Sequence, residues 1–296
     1  AYFGNKDLII EHPALTDCLK SVKAAIDPGL GQNFVLLLGP TGVGKTVLQK
    51  LMVRRTLEDA FKSNQSDRVS IPAIFVEALA PDESNFAFRE LYVDALSALH
   101  VPLIEQTLPE IVRSADGKSI VTPQPEVPLR IPTPRSLRRR LRKSLLDRST
   151  VLLALDEAAH VFTIRKYKDE VERKRLLEGQ GNTLKSLVNG LGTTLLCAGS
   201  YELYELALVS EQLARRGQIV PLFEYSTTPK GIAGYTDGLL GLLSHLPVEH
   251  DLDATDIASD MFFQSAARIG TSRTLLYRFL QRVGIGESPN KATLAR

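Results

Sequence analysis

Gly39-Pro40-Thr41-Gly42-Val43-Gly44-Lys45-Thr46 sets glycines, a lysine and a hydroxyl at the spacing G-x-x-x-x-G-K-[ST], the pattern in which a backbone loop wraps a phosphate. Glycines let successive main-chain N–H groups turn toward one point. A helix that opens there, here through Val47, adds the positive end of its dipole. Lys45 would neutralise the β- and γ-phosphates of ATP, and Thr46 would offer Mg²⁺ a hydroxyl ligand. The apolar run Phe34–Leu38 before the motif and Val47-Leu48-Gln49-Lys50-Leu51-Met52 after it supply the strand and helix that such a loop needs.

A second group of residues completes the expected chemistry. Val151-Leu152-Leu153-Ala154-Leu155 runs uninterrupted into Asp156-Glu157, which reads as a strand buried on both faces of a parallel sheet and ending in two acids. Asp156 would hold Mg²⁺ through its water shell. Glu157 would polarise the attacking water as general base; the plain alternative is a helix-capping carboxylate. Ser200 ends the strand Thr193–Ala198 and either senses the γ-phosphate or closes an ordinary turn. Arg215 and Arg216 end a helix, where cations are stabilising in themselves, or act as an arginine finger on a neighbouring subunit's nucleotide. Arg273, following Gly270-Thr271-Ser272, would fold back on the nucleotide, with Arg268 as its competitor and a surface cation as the bland reading. Ile9, Ile10 and Pro13 either line an adenine pocket or pack into the core.

Strands alternating with helices position these groups. The periodicities predict helices from His12-Pro13 to Ile26, over 44–61, Ser84–Leu99, Arg135–Asp147, about Asp169–Asn189 and Tyr201–Arg216, with strands at 34–38, 71–77, 151–157, 193–198 and 219–223. Pro221 places the last strand at a sheet edge. The expected fold is α/β: a P-loop NTPase with a five-stranded parallel sheet flanked by helices. Residues 1–226 would form it, with an irregular, proline-bearing insertion over 101–134 that carries a short hairpin. Residues 227–286 would form a small helical lid domain and 287–296 a polar tail.

Composition narrows the classes. The chain has 296 residues, 44% hydrophobic and 24% charged, as a globular protein does. No apolar run is long enough to span a membrane, and no leader pattern opens the chain. Two cysteines, Cys18 and Cys197, point to a reducing, cytoplasmic setting, and the five histidines lack metal-ligand spacing. Net charge is +2, yet Pro134–Arg175 holds thirteen Lys/Arg against six Asp/Glu, a local excess suited to a polyanion.

Together the loop, Asp156-Glu157, Ser200, Arg215-Arg216 and Gly270-x-x-Arg273 resemble an AAA+ ATPase in order and spacing. Within that superfamily the chain resembles the TniB/TnsC-type transposition ATPases. The likeness is carried by His12-Pro13, Leu155-Asp156-Glu157-Ala158-Ala159-His160, and the passage from Cys197-Ala198-Gly199-Ser200 through Glu211-Gln212-Leu213-Ala214-Arg215-Arg216 to Leu222. It implies an ATP-dependent regulator that assembles with itself as a ring or filament on double-stranded DNA, activates a transposase, and links it to a target-selection protein. The implied DNA-backbone contacts fall on Arg165, Lys166, Lys168, Arg173, Lys174, Arg175 and Lys185, with Arg138, Arg139, Arg140, Arg142 and Lys143 as a second candidate set. A solvated helix face is the bland reading for either cluster. A replication initiator or helicase loader is the alternative ATPase, and an ATP switch without DNA the alternative class.

Overall fold

The computed structural model describes residues 9–26, 33–63, 69–81, 85–102, 112–113, 119–120, 132–204, 217–246 and 250–283. Its strands are β1 (Phe34–Leu38), β2 (Ala73–Glu77), β3 (Val112–Arg113), β4 (Ser119–Ile120), β5 (Leu152–Asp156), β6 (Thr194–Gly199) and β7 (Gly217–Pro221). Its helices are α1 (Pro13–Ala25), α2 (Lys45–Lys62), α3 (Phe88–Ala98), α4 (Pro134–Asp147), α5 (Glu170–Val188), α6 (Pro229–Leu243), α7 (Ala254–Gln264) and α8 (Ile269–Val283). β2, β5, β6, β1 and β7 form one parallel sheet in that order. β3 pairs antiparallel with β4 inside the insertion; most of 103–131 lies outside the described residues.

Successive side chains of a strand point to opposite faces, and both faces are covered. Leu36, Leu38, Val76, Leu153, Leu155, Leu195 and Cys197 pack under α3, α4 and α5. Val35, Leu37, Leu152, Leu196, Ala198 and Val220 pack under α1 and α2. That explains why β1, β5 and β6 are buried at every position. Among the described residues β7 has a partner on one side, and Val220 is its one buried position, so Pro221 costs no ladder bond, as an edge position requires.

Local chemistry sets the helix ends. Thr133 caps α4 by accepting from Ser136 N, and Asp169 caps α5 by accepting from Glu172 N, each satisfying a donor that the first turn leaves unpaired. α3 starts at Phe88, later than the expected Ser84. Ala87 is extended, and the Asn85 side chain accepts the main-chain N–H groups of Arg165 and Lys166, so this stretch secures a neighbouring loop instead of adding a turn. The helix expected over Tyr201–Arg216 lies largely outside the described residues, and Arg215 and Arg216 with it.

α6, α7 and α8 enclose a core of their own around Tyr235, Leu239, Ile257, Met261, Phe262 and Leu276. The buried Tyr235 hydroxyl is hydrogen-bonded to Ser265 and Ser272, as a buried polar group must be. No helix of the described residues is long and apolar enough to cross a membrane.

Candidate functional site

Register brings the chemistry to one edge. Leu38 lies opposite Gly199, and Glu77 opposite Asp156, so the loop after β1, the acids ending β5 and Ser200 after β6 share the carboxyl end of the sheet. Gly39 N donates to Gly199 O at 3.3 Å, which seats Ser200 beside the loop. In open parallel sheets this edge is where ligands bind.

Sterics then shape the loop. Gly42 and Gly44 have φ of +82° and +109°, which side-chain-bearing residues adopt at a cost. A Cβ on Gly39 would lie 2.1 Å from Leu222 O. Lys45 Nζ, inside the curl, donates to Gly39 O at 2.8 Å and Pro40 O at 2.9 Å. Burial lowers its pKa, opposed by Glu157 and Asp156 and reinforced by Arg268. Val43 and Val47 pack into the α1–α2 core and anchor the turn.

At the start of α2, Thr46 Oγ1 donates to Asp156 Oδ2 at 2.6 Å, and Asp156 Oδ1 accepts from Glu157 N at 3.0 Å. Asp156 is 4% exposed. A hydroxyl and a carboxylate so close, beneath a phosphate cradle, fit the oxygen ligands that Mg²⁺ prefers; the ion would neutralise phosphate charge. Glu157 is exposed and takes φ +49°, ψ +36°, a left-handed conformation costing about 1 kcal/mol. The turn after it, Ala158–Phe162, is tied down by His160 Nδ1 to Ala78 O at 2.8 Å. The two acids are thereby separated: Asp156 faces the loop, and Glu157 faces solvent at the same edge.

The C-terminal helices close on the loop. A Cβ on Gly270 would lie 2.5 Å from Gly42 O, and one on Gly42 would lie 2.5 Å from Thr271 Oγ1. Arg268 reaches Thr41 O at 3.4 Å, and its buried Nε has no hydrogen-bond partner. Arg273, half-buried on the first turn of α8, is engaged in an interaction of its own. Arg268, the competitor weighed beside Arg273 from the sequence, is thus bonded to the phosphate loop.

The N-terminal arm meets both bodies. Ile9 packs on the sheet's core and Ile10 on that of the C-terminal helices. His12 Nδ1 caps α1 by accepting from Leu15 N and bonds the Tyr225 hydroxyl at 2.7 Å; that hydroxyl accepts from Ala14 N. Burial lowers the His12 pKa to about 4. The folded value lies below that of the free side chain, so the unfolded chain takes up the proton first. Stability is therefore full above about pH 6.5 and declines toward pH 4, by at most about 3 kcal/mol. Urea-unfolding midpoints measured across that window should show this decline, and His12→Asn, which can still cap, should flatten it. Identical pH dependences in the two proteins would refute the assignment.

The basic clusters divide by contact. On α4, Arg142 donates to the carbonyls of Ser186, Leu187 and Asn189 and so caps the end of α5. Arg138 reaches Ser186 Oγ, and Arg140 reaches Pro102 O. Arg139 is exposed on the other side, with Arg135 and Lys143. Arg165, Lys166, Lys168, Arg173, Lys174 and Arg175 are exposed beyond β5; Lys185 is half-buried and engaged. Arg173 pairs with Glu170 and lies over the Tyr167 ring. Two residues beside the site escaped the sequence reading: Gln49 inside α2 and Tyr225 beside His12. The signal for Gln49 was a lone amide one helical turn after Thr46.

Comparison with known proteins agrees with this geometry. Residues 29–207 match the family model described as AAA domain. None of the curated proteins matches the chain in sequence. Among solved structures, the Aeropyrum pernix ORC2 protein in its ADPNP–ADP complexes is 13% identical, with a TM-score of 0.65 over 99% of this chain and 69% of that one. The Aeropyrum pernix ORC1 protein in complex with DNA is 15% identical, with a TM-score of 0.62 over 99% and 67%. Domain III of the Thermotoga maritima replication initiation protein DnaA is 12% identical, with a TM-score of 0.50 over 97% and 91%.

Proposed function

The chain belongs to the AAA domain family, and from that premise we propose that it is a cytoplasmic ATPase that assembles with itself on double-stranded DNA, in the manner of a replication initiator or helicase loader. The observation that carries the ATPase reading is the 2.6 Å Thr46–Asp156 bond under the phosphate loop, with Glu157 exposed one residue on. A phosphotransferase has no need of such a water-activating acid. Gly39 to Val47 cradle ATP, Lys45 neutralises its β- and γ-phosphates, and Thr46 and Asp156 hold Mg²⁺. Glu157 polarises water, Ser200 lies by the γ-phosphate, and residues 227–286 act as a lid that brings Arg273 to the nucleotide. Arg215 or Arg216 completes a neighbour's site, so hydrolysis depends on assembly.

DNA would lie along Arg165, Lys166, Lys168, Arg173, Lys174 and Arg175, joined by Arg139; Arg138, Arg142 and Lys185 support these from within. The likeness to an ORC1 protein in complex with DNA favours this reading over a switch without DNA. A second reading, a TniB/TnsC-type regulator with transposase and target-selection partners, is favoured by the passage from Gly199-Ser200 to Arg216. Stimulation of a co-encoded transposase, against loading of a helicase, separates the two.

The test is duplex binding with a slowly hydrolysed ATP analogue, read by electron microscopy and by salt titration. Backbone contact predicts that log affinity falls linearly with log salt, with a slope of about −0.9 per phosphate neutralised. Charge reversal at Lys174 and Arg175 should make the slope shallower by about two contacts. A chain that stays monomeric and indifferent to DNA in every nucleotide state would end both readings.

A further inference from the structure

We propose that Gln49 is a positioning residue for the magnesium site, an inference that rests on the Mg–ATP reading above. Gln49 follows Thr46 by one helical turn and is 0% exposed. Its Nε2 donates to Leu155 O and Leu196 O, each at 3.0 Å. Leu155 opposes Cys197, and Ala154 opposes Leu196, so the amide forks across the seam between β5 and β6. Leu155 directly precedes Asp156, and β6 leads to Ser200. The buried Oε1 has no hydrogen-bond partner.

The sheet does not need this amide. A backbone carbonyl has two lone pairs, so Leu155 and Leu196 can serve the strand ladder and Gln49 together. An apolar side chain of similar length would fill the space and remove the orphaned oxygen, which core packing alone prefers. What Gln49 supplies is direction. Apolar contacts between α2 and the sheet are non-directional, whereas hydrogen bonds fix distance and angle. Thr46 rides on α2 and Asp156 on β5, and Gln49 bonds one to the other at the level of those two ligands. Letting the helix slide by about 1 Å would spoil their spacing, a displacement that can cost about a hundredfold in rate.

The experiment compares wild type with Gln49→Met and, as a second apolar variant, Gln49→Leu. The readouts are Tm, affinity for ATP without divalent metal, affinity of the ADP-loaded protein for Mn²⁺ followed by electron paramagnetic resonance, and steady-state kcat and KM. We expect Tm equal to or above wild type, metal-free ATP affinity within about twofold, and Mn²⁺ affinity lower by roughly tenfold, with kcat falling more than KM changes. Unaltered Mn²⁺ affinity in folded variants would overturn the proposal. So would a joint fall of Tm, ATP affinity and Mn²⁺ affinity, which marks a core bond without a positioning role. If wild type binds nucleotide but never turns it over, the hydrolysis reading fails while the Mn²⁺ comparison still judges Gln49. A wild-type chain that holds no nucleotide removes both.

Discussion

Lys45→Ala is expected to give a folded protein whose hold on ATP is weakened by about two to three orders of magnitude. Lys45 Nζ touches only loop carbonyls, Gly39 O and Pro40 O, in the bonds the structure records, and burial already disfavours its charge. Deleting it therefore removes no contact that the core depends on, and Tm should stay within about 2 °C. Binding is another matter. Two neighbouring carboxylates, Asp156 and Glu157, act on Lys45, and without its ammonium they repel a polyphosphate brought against them. Truncating one partner of a desolvated charge pair costs about 2–5 kcal/mol, or roughly three-hundredfold in affinity near the middle of that range. Calorimetric titration with ATP checks this. Affinity within about threefold of wild type would show that the curl between Gly39 and Thr46 is not a phosphate site.

The second large effect concerns turnover. Glu157→Gln should bind ATP and Mg²⁺ as before while hydrolysis falls by about a hundredfold to ten-thousandfold, the range that one positioned general base supplies. The main-chain bond from residue 157 to Asp156 Oδ1 does not involve the replaced side chain, so the left-handed turn should survive and the Thr46–Asp156 pair with it. Single-turnover phosphate release, measured beside ATP affinity, separates the two roles. Loss of affinity in step with rate would assign Glu157 to binding, and unchanged turnover would remove it as the base. If assemblies on DNA depend on the γ-phosphate, this variant should also prolong them.

Much of this arrangement was legible in the residues because its signals are local. The phosphate loop is eight consecutive residues, and β5 announces itself by five apolar positions before two acids. Pro221 marks an edge because the middle of a central strand does not tolerate a missing N–H. The rest depends on partners far away in the chain. Gln49 looks like any polar residue in a helix until Leu155 and Leu196, more than a hundred positions on, are placed beneath it. Arg138 and Arg142 read as surface cations in a basic run, yet each follows a buried leucine, Leu137 and Leu141, and so lies about 100° from the buried stripe, within reach of the end of α5. Arg139 lies farther round and stays exposed. That Arg268 meets Thr41 was not legible either, since only the turn into α8 brings it there.

The meeting of Gly42 and Gly270 carries one further consequence. Gly270 approaches the Gly42 backbone too closely to admit a side chain, and the short Thr271 hydroxyl fills the space beside Gly42, so the joint has little slack. Tilting the C-terminal helices by even a fraction of an ångström there must shove the crook that grips the phosphates, and a crook spread open by its cargo must push back with equal force. Grip and tilt then behave as the two arms of one lever, with the Gly42–Gly270 approach as its fulcrum.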